Sequence, residues 1–434
     1  MGKQKALSAD GLFQLLYRGF GEISDHRAEN RKIPLVDALM SGFAMFSLKD
    51  ASLLEFDERR ATDDNLKRIY GLGAVPSDSQ LRTILDPISP KELKPLYKTV
   101  FEQLERSRMM EKFVYLGQYY LLSLDGTEYF SSTKVHCPAC LAKKTRKKGE
   151  LTYRHQLLGG AIVHPDLKVV IPLAPEPIIK QDGQTKNDCE RNAAKRFLAQ
   201  VRQDHPELPL IIIEDALSAN APHIKTLQKH KIRFILGVKE GDHAFLFDTV
   251  RQAHQSGETT EYEYQQGGTT YRFCFINQIP LNASNQDVLV NFLECWEIKG
   301  DRTLHFSWIT DFTLSKLNLP AMMNGGRARW KIENETFNTL KNQGYHFEHN
   351  YGHGQQNLSV NFALLMMLAF LVDQVQQLAD ALFQAVLQKK GSRKRLWEHM
   401  RALFYTLDFA SMTDIFSALL YGYKVGKVVI LKPN

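Results

Sequence analysis

The chain has 434 residues, long for one folding unit, so two or three are expected. Hydrophobic residues make up 44% and charged residues 24%, a balance that excludes a disordered or fibrous chain and allows a real core. The net charge of +7 is modest, but it is concentrated: Lys134, Lys143, Lys144, Arg146, Lys147 and Lys148 crowd one segment, and Lys389, Lys390, Arg393, Lys394 and Arg395 another.

Such clusters either neutralise phosphates or are solvated loops, and charge alone leaves both readings open. Five cysteines without an apolar leader after Met1 do not make a disulfide framework, and a reducing cytoplasm is expected. The longest apolar stretch, Phe362 to Val372, is too short to span a bilayer and predicts a buried helix, so no membrane is expected.

Residues 1 to about 112 carry apolar side chains at helical spacing through Gly11–Tyr17, Leu35–Phe46 and Leu96–Leu104. Pro76-Ser77-Asp78-Ser79-Gln80-Leu81 has the form of a helix start, a capping side chain before an apolar run. Near Phe113 the pattern changes. Tyr119–Leu124 reads as one buried strand ending at Asp125-Gly126, followed by strands over Thr152–Val163 and Lys168–Leu173 and a helix over Asn187–Arg202. Pro209–Ile213 reads as a buried strand ending at Glu214-Asp215, with a helix (Pro222–His230) and another strand (Arg233–Val238) behind it. Thr259 to Asp311 is β-rich, and helical character returns over Arg327–Lys341 and Ser359–Gln388. This order predicts a mixed sheet with helices on both faces.

Two aspartates each follow an apolar strand, where a carboxylate is carried on rigid backbone yet reaches solvent. Either one alone reads as an ordinary turn residue; two on neighbouring strands point to a shared site. In Arg327–Lys341, taken as one helix, Arg329, Glu333 and Phe337 fall in one row, either a surface ion pair or a carboxylate held for chemistry. Three converging acids are the least that could hold two hard divalent cations for in-line displacement at phosphorus.

Ser123-Leu124-Asp125-Gly126-Thr127, Ile213-Glu214-Asp215-Ala216 and Arg329-Trp330-Lys331-Ile332-Glu333-Asn334 resemble the three blocks of bacterial insertion-sequence transposases of the DDE class. The resemblance runs from about Asp125 to Gly354 and takes in Gln181-Asp182-Gly183, Lys186-Asn187-Asp188-Cys189-Glu190 and His349–Gly354. It implies an RNase H-like mixed sheet flanked by helices, with a β-rich insertion. Asp125, Asp215 and Glu333 would bind two Mg2+ or Mn2+ ions, and Arg329 matches the family's arginine four residues before the glutamate. Where related chains have a tyrosine seven residues before the glutamate, this one has Gly326; where they have a lysine seven after it, this one has Leu340, with Lys341 next. Lys341 is thus a further catalytic candidate, and Glu335, six residues before it, a rival to Glu333.

The implied activity is metal-dependent DNA cleavage and strand transfer, on double-stranded element ends and target DNA, by a homodimer in the bacterial nucleoid. A purely hydrolytic nuclease and a non-catalytic DNA-binding descendant are the alternatives. The implied organisation is a helical DNA-binding region over 1–112, a catalytic domain over 113–375 with its insert at about 255–312, and a helical region over 376–434. Lys143, Lys144, Arg146, Lys147 and Lys148 are the DNA-contact candidates.

Cys137-Pro138-Ala139-Cys140 has the spacing of half a zinc site, with His136 and His155 nearby and Cys189 or His155 to complete it across space; the alternative is a tight turn with two unbound thiols. Trp296, Trp308 and Trp330 could stack on an unpaired base or lie in the core.

Overall fold

The computed structural model describes residues 6–60, 63–144, 149–180 and 189–424. They form two compact units, one of the described residues within 110–338 and one that joins those up to 109 to those from 339 onward. The sequence places its boundaries at 112 and 375 instead. The second differs because the helices beyond 339 share a core with the N-terminal helices: Leu358–Ala379 packs on Leu35–Leu48 and Pro90–Arg106.

In this helical unit Leu35–Leu48 and Leu358–Ala379 are buried almost all round, which is why neither shows a polar stripe. Leu358–Ala379 is long and apolar enough to cross a membrane, but its most apolar stretch is wholly buried inside the protein. Its first turn is anchored by Asp86, whose Oδ1 accepts from the amides of Gln356, Asn357 and Leu358 at 3.0 Å each. The single helix expected over Ser359–Gln388 is broken at Asp380, whose carboxylate caps a new helix, Ala381–Lys390, by accepting from Leu382 and Phe383. At Ser77 the expected start is a full capping box with Gln80, opening Asp78–Leu85.

The other unit is built on one sheet. Its strands are β1 (Val114–Tyr115), β2 (Tyr119–Ser132), β3 (Leu141–Lys144), β4 (Leu151–Val163), β5 (Ile171–Pro172), β6 (Glu176–Ile178), β7 (Leu210–Glu214), β8 (Arg233–Gly237), β9 (Thr260–Gln266), β10 (Thr269–Asn282), β11 (Asn285–Lys299) and β12 (Arg302–Thr310). The order is β3-β4-β2-β7-β8-β12-β11-β10-β9, with β5 and β6 on β4 and β1 on β2. Strands β2, β7 and β8 run parallel, and β4 runs antiparallel to β2. All five residues of β7 are buried, as a parallel strand covered on both faces requires. The β-rich segment forms an antiparallel meander that extends the central sheet, because β12 pairs with β8 through Trp308–Gly237, Ile309–Leu236 and Thr310–Ile235. One helix in this unit, Ala244–Gln255, is not predicted by the sequence; its N-cap, His243, makes no capping side-chain bond that could have marked it.

Candidate active site

Asp125 lies inside β2, not after it. The strand continues to Ser132 because its antiparallel ladder with β4 continues, and in that ladder Asp125 faces Gly159. What stops at Ser123 is the parallel ladder with β7, where Ser123 pairs with Ile213. Carried on two residues, the same register sets Asp125 level with Asp215, at the point where two neighbouring strands part. Asp215 begins a 3-10 turn, Ala216–Ser218, and its Oδ1 accepts from the Leu217 amide at 3.0 Å.

The third acid arrives on the segment after Leu319–Arg327. This segment is not one α-helix through to Lys341: residues Ile332–Phe337 form a π-helical turn, and Asn338–Asn342 resumes the α form. Such wide turns shift a side chain relative to α spacing and are frequent at functional sites. Ser123 Oγ donates to the Arg329 carbonyl at 3.0 Å, tying the segment to β2. Arg329 Nη1 lies 2.7 Å from Glu333 Oε1 and 3.7 Å from Asp125 Oδ2, so one guanidinium faces both carboxylates. Glu335 is turned elsewhere and its charge acts on Lys331, whose ammonium donates to the Leu167 carbonyl at 2.6 Å.

Electrostatics follow from this crowding. Burial pushes the Asp125 carboxyl up to about 7, helped by a hydrogen bond and charge repulsion from Glu333, with Arg329 pulling the other way. Glu190 approaches from the opposite face of β2, its carboxylate reaching over the Gly126 backbone; burial raises it, and the charges of Asp215 and Glu214 raise it further. Asp125, Glu190, Glu214 and Asp215 line one cavity of about 620 Å3. On the other side of Asp215 a cleft of about 570 Å3 is lined by Lys239, Arg327, Arg329 and Trp330. Asp125 and Glu333 meet at one guanidinium, and Asp125, Glu190, Glu214 and Asp215 share a cavity; such carboxylate oxygens are the donor set that a hard divalent cation takes. The sequence gives no signal for Glu190 as a site residue, because nothing local marks it as reaching over Gly126 toward Asp215 and Glu214.

Other candidates are placed as follows. Lys341 belongs to the helical unit and pairs with Glu348 at 2.9 Å. Lys143 and Lys144 are exposed on the edge strand β3, whereas Arg146, Lys147 and Lys148 lie outside the described residues, as do Gln181–Asp188. Cys137, Cys140 and His155 come together beside β4, while Cys189 is exposed and His136 stacks on Tyr153 at 4.2 Å. Trp308 is buried and Trp296 stacks on His305, so of the three tryptophans only Trp330, 52% exposed, offers a free face. Gly326, where a tyrosine was expected, has no room for one: a Cβ there would come within 2.3 Å of the Trp308 ring nitrogen.

A mixed sheet of this order, with carboxylates gathered where its central strands end, is the RNase H-like fold of transposases. A family model described as the transposase DDE domain matches residues 136–371, more than half of the chain, and the chain belongs to that family. The match begins just after Asp125 and includes Asp215 and Glu333. A comparison with curated proteins found no match. Membership implies DNA as the partner and the use of a divalent metal ion.

Proposed function

We propose that the protein is the transposase of an insertion sequence, cutting DNA strands and joining them with two Mg2+ or Mn2+ ions held by Asp125, Asp215 and Glu333. The observation that carries this reading is the contact of Asp125 with Glu333, from distant parts of the chain, beside a cavity that Asp125 and Asp215 line together. Bound there, the cations supply activation of the attacking oxygen and stabilisation of the leaving one. Arg329 orients Glu333 and is available to a substrate phosphate in the cleft it lines with Lys239 and Arg327, opposite Glu214, Asp215, Glu240 and Glu294. Trp330 beside it offers a stacking face for an unpaired base. Lys143 and Lys144, with Arg146, Lys147 and Lys148 next in sequence, neutralise the backbone of the element ends, and the N-terminal helices contribute to end recognition. The active assembly is a homodimer on paired ends.

The test incubates the purified protein with linear DNA carrying the sequences that flank its own reading frame, with Mg2+ or Mn2+. Nicking at the ends followed by joined products is expected, and Asp125→Ala and Asp215→Ala should abolish both while leaving DNA binding intact. Cleavage without any joining would reduce the protein to a hydrolytic nuclease. Unchanged DNA processing by both variants would end the reading.

A further inference from the structure

Away from the carboxylates, the connection between β2 and β3 carries Cys137 and Cys140, and His155 lies on β4, which pairs with both strands. All three are buried. Cys137 Sγ and Cys140 Sγ are 3.7 Å apart, and His155 Nε2 lies 3.2 Å from the first and 3.3 Å from the second. A disulfide would need its sulfurs at about 2.05 Å, so these two are not bonded. A tetrahedral zinc ion, with Zn–S near 2.3 Å and Zn–N about 2.0–2.1 Å, spaces its ligand atoms roughly 3.5–3.8 Å apart. The observed triangle is that size to within a few tenths of an ångström.

The surroundings suit a metal better than they suit thiols. The Cys137 amide donates to Cys140 Sγ at 3.3 Å, and the Cys140 amide to the Cys137 carbonyl at 3.1 Å, folding the CxxC into a turn that aims both sulfurs one way. An amide donating to sulfur stabilises a thiolate ligand. The Tyr129 ring stacks on His155 at 5.7 Å and Phe130 stands at 6.1 Å, closing the imidazole inside an apolar shell. Two sulfurs and an imidazole select a zinc-like ion over the hard cations of the carboxylate site.

We infer that Cys137, Cys140 and His155 bind a structural zinc ion that fastens the β2–β3 connection to β4. Binding replaces two S–H bonds by two S–Zn bonds and releases two protons to water, leaving the ion's charge balanced by two thiolates. The ion is separate in chemistry and in role from the catalytic cations: it orders the strand edge that presents Lys143 and Lys144.

The test is metal analysis of the full chain purified under reductant from zinc-supplemented cells. About one zinc per chain is expected, with X-ray absorption showing two sulfurs in the first shell and nitrogen or oxygen in the rest. Cobalt titration of stripped protein should give a thiolate-to-cobalt charge-transfer band. Cys137→Ser with Cys140→Ser should lose both the zinc and the band, His155→Gln should weaken binding at least tenfold, and substituting each remaining histidine identifies any further donor. Chelation should lower Tm, with zinc but not magnesium restoring it. If the serine variants do not fold, the cobalt spectrum and sulfur count of the unaltered chain still decide. Protein that takes up neither zinc nor cobalt, that keeps its zinc in folded serine variants, or that holds a Cys137–Cys140 disulfide under reductant would overturn the inference.

Discussion

Phe337 rests directly on Gly159, the residue that faces Asp125 across the β2–β4 ladder; a Cβ on Gly159 would come within 2.8 Å of the Phe337 ring. The π-helical turn that carries Glu333 therefore docks on the backbone next to the first aspartate, and the site's geometry depends on a side chain that is missing. Gly159→Val should force the ring away and move Glu333. A loss of about 1–3 kcal/mol of stability is expected from overpacking. DNA cleavage should fall further than that alone explains, by tenfold or more. Comparing cleavage rate with Tm for Gly159→Ala and Gly159→Val checks this; equal activity in all three proteins would show that the contact does not position Glu333.

Glu333 and Glu335 give opposite expectations. Glu333 touches Arg329 and Asp125, while Glu335 acts on Lys331. Glu333→Gln should cost cleavage about 100-fold or more, and Glu335→Gln less than about tenfold. The reverse order would transfer the third ligand to Glu335.

Cation binding can be read without any DNA. Asp125 is crowded by Glu333, and Glu190 by Asp215 and Glu214 at the end of β7; a bound cation removes that repulsion. At 100-fold excess over its Kd, Mn2+ should stabilise the fold by about 2.7 kcal/mol, visible as a rise in Tm. Asp125→Asn and Asp215→Asn should each lose most of that rise. A rise that persists in both variants would place the cation elsewhere.

The helical unit contains a buried ion pair whose removal should be costly. Lys49, 1% exposed, sits 2.6 Å from Asp373 and under the Trp397 ring, and Tyr345 donates to the same carboxylate at 2.7 Å. Asp373→Asn leaves the Lys49 charge buried without its partner and should cost about 3–5 kcal/mol by denaturant unfolding. Replacing both by apolar residues, Lys49→Met with Asp373→Leu, should recover most of the loss.

Acid sensitivity should localise to Asp25. Hydrogen bonds from Arg27, with Arg31 at 2.8 Å, hold its carboxyl down at about 2, below the usual 3.8. Its folded pKa is depressed, so the stabilisation is present above about pH 4 and lost as pH falls toward 2. Solvent screening limits it to about 1 kcal/mol. Asp25→Asn should flatten the stability curve across that window, lowering stability by about 1 kcal/mol at pH 7 and converging on the unaltered protein near pH 2.

Much of the sheet was legible because its central strands are apolar at every position or nearly so, as Leu210–Glu214 shows. The Ala244–Gln255 helix escaped because no capping residue announces it. The break at Asp380 lay inside an apolar run whose periodicity continues past it.

Local chemistry along the chain determined most of the strands and helices, the aspartates behind apolar runs, the CxxC and the family of the protein, because each depends on residues close in sequence. Only the tertiary structure decided that β2 runs on past Asp125, that Glu333 rather than Glu335 meets Asp125, that Gly326 is filled by Trp308, and that His155 closes on the cysteine pair. Each of those rests on contacts between residues far apart in the chain, and no local preference encodes which of several acids or histidines a packed sheet will bring face to face.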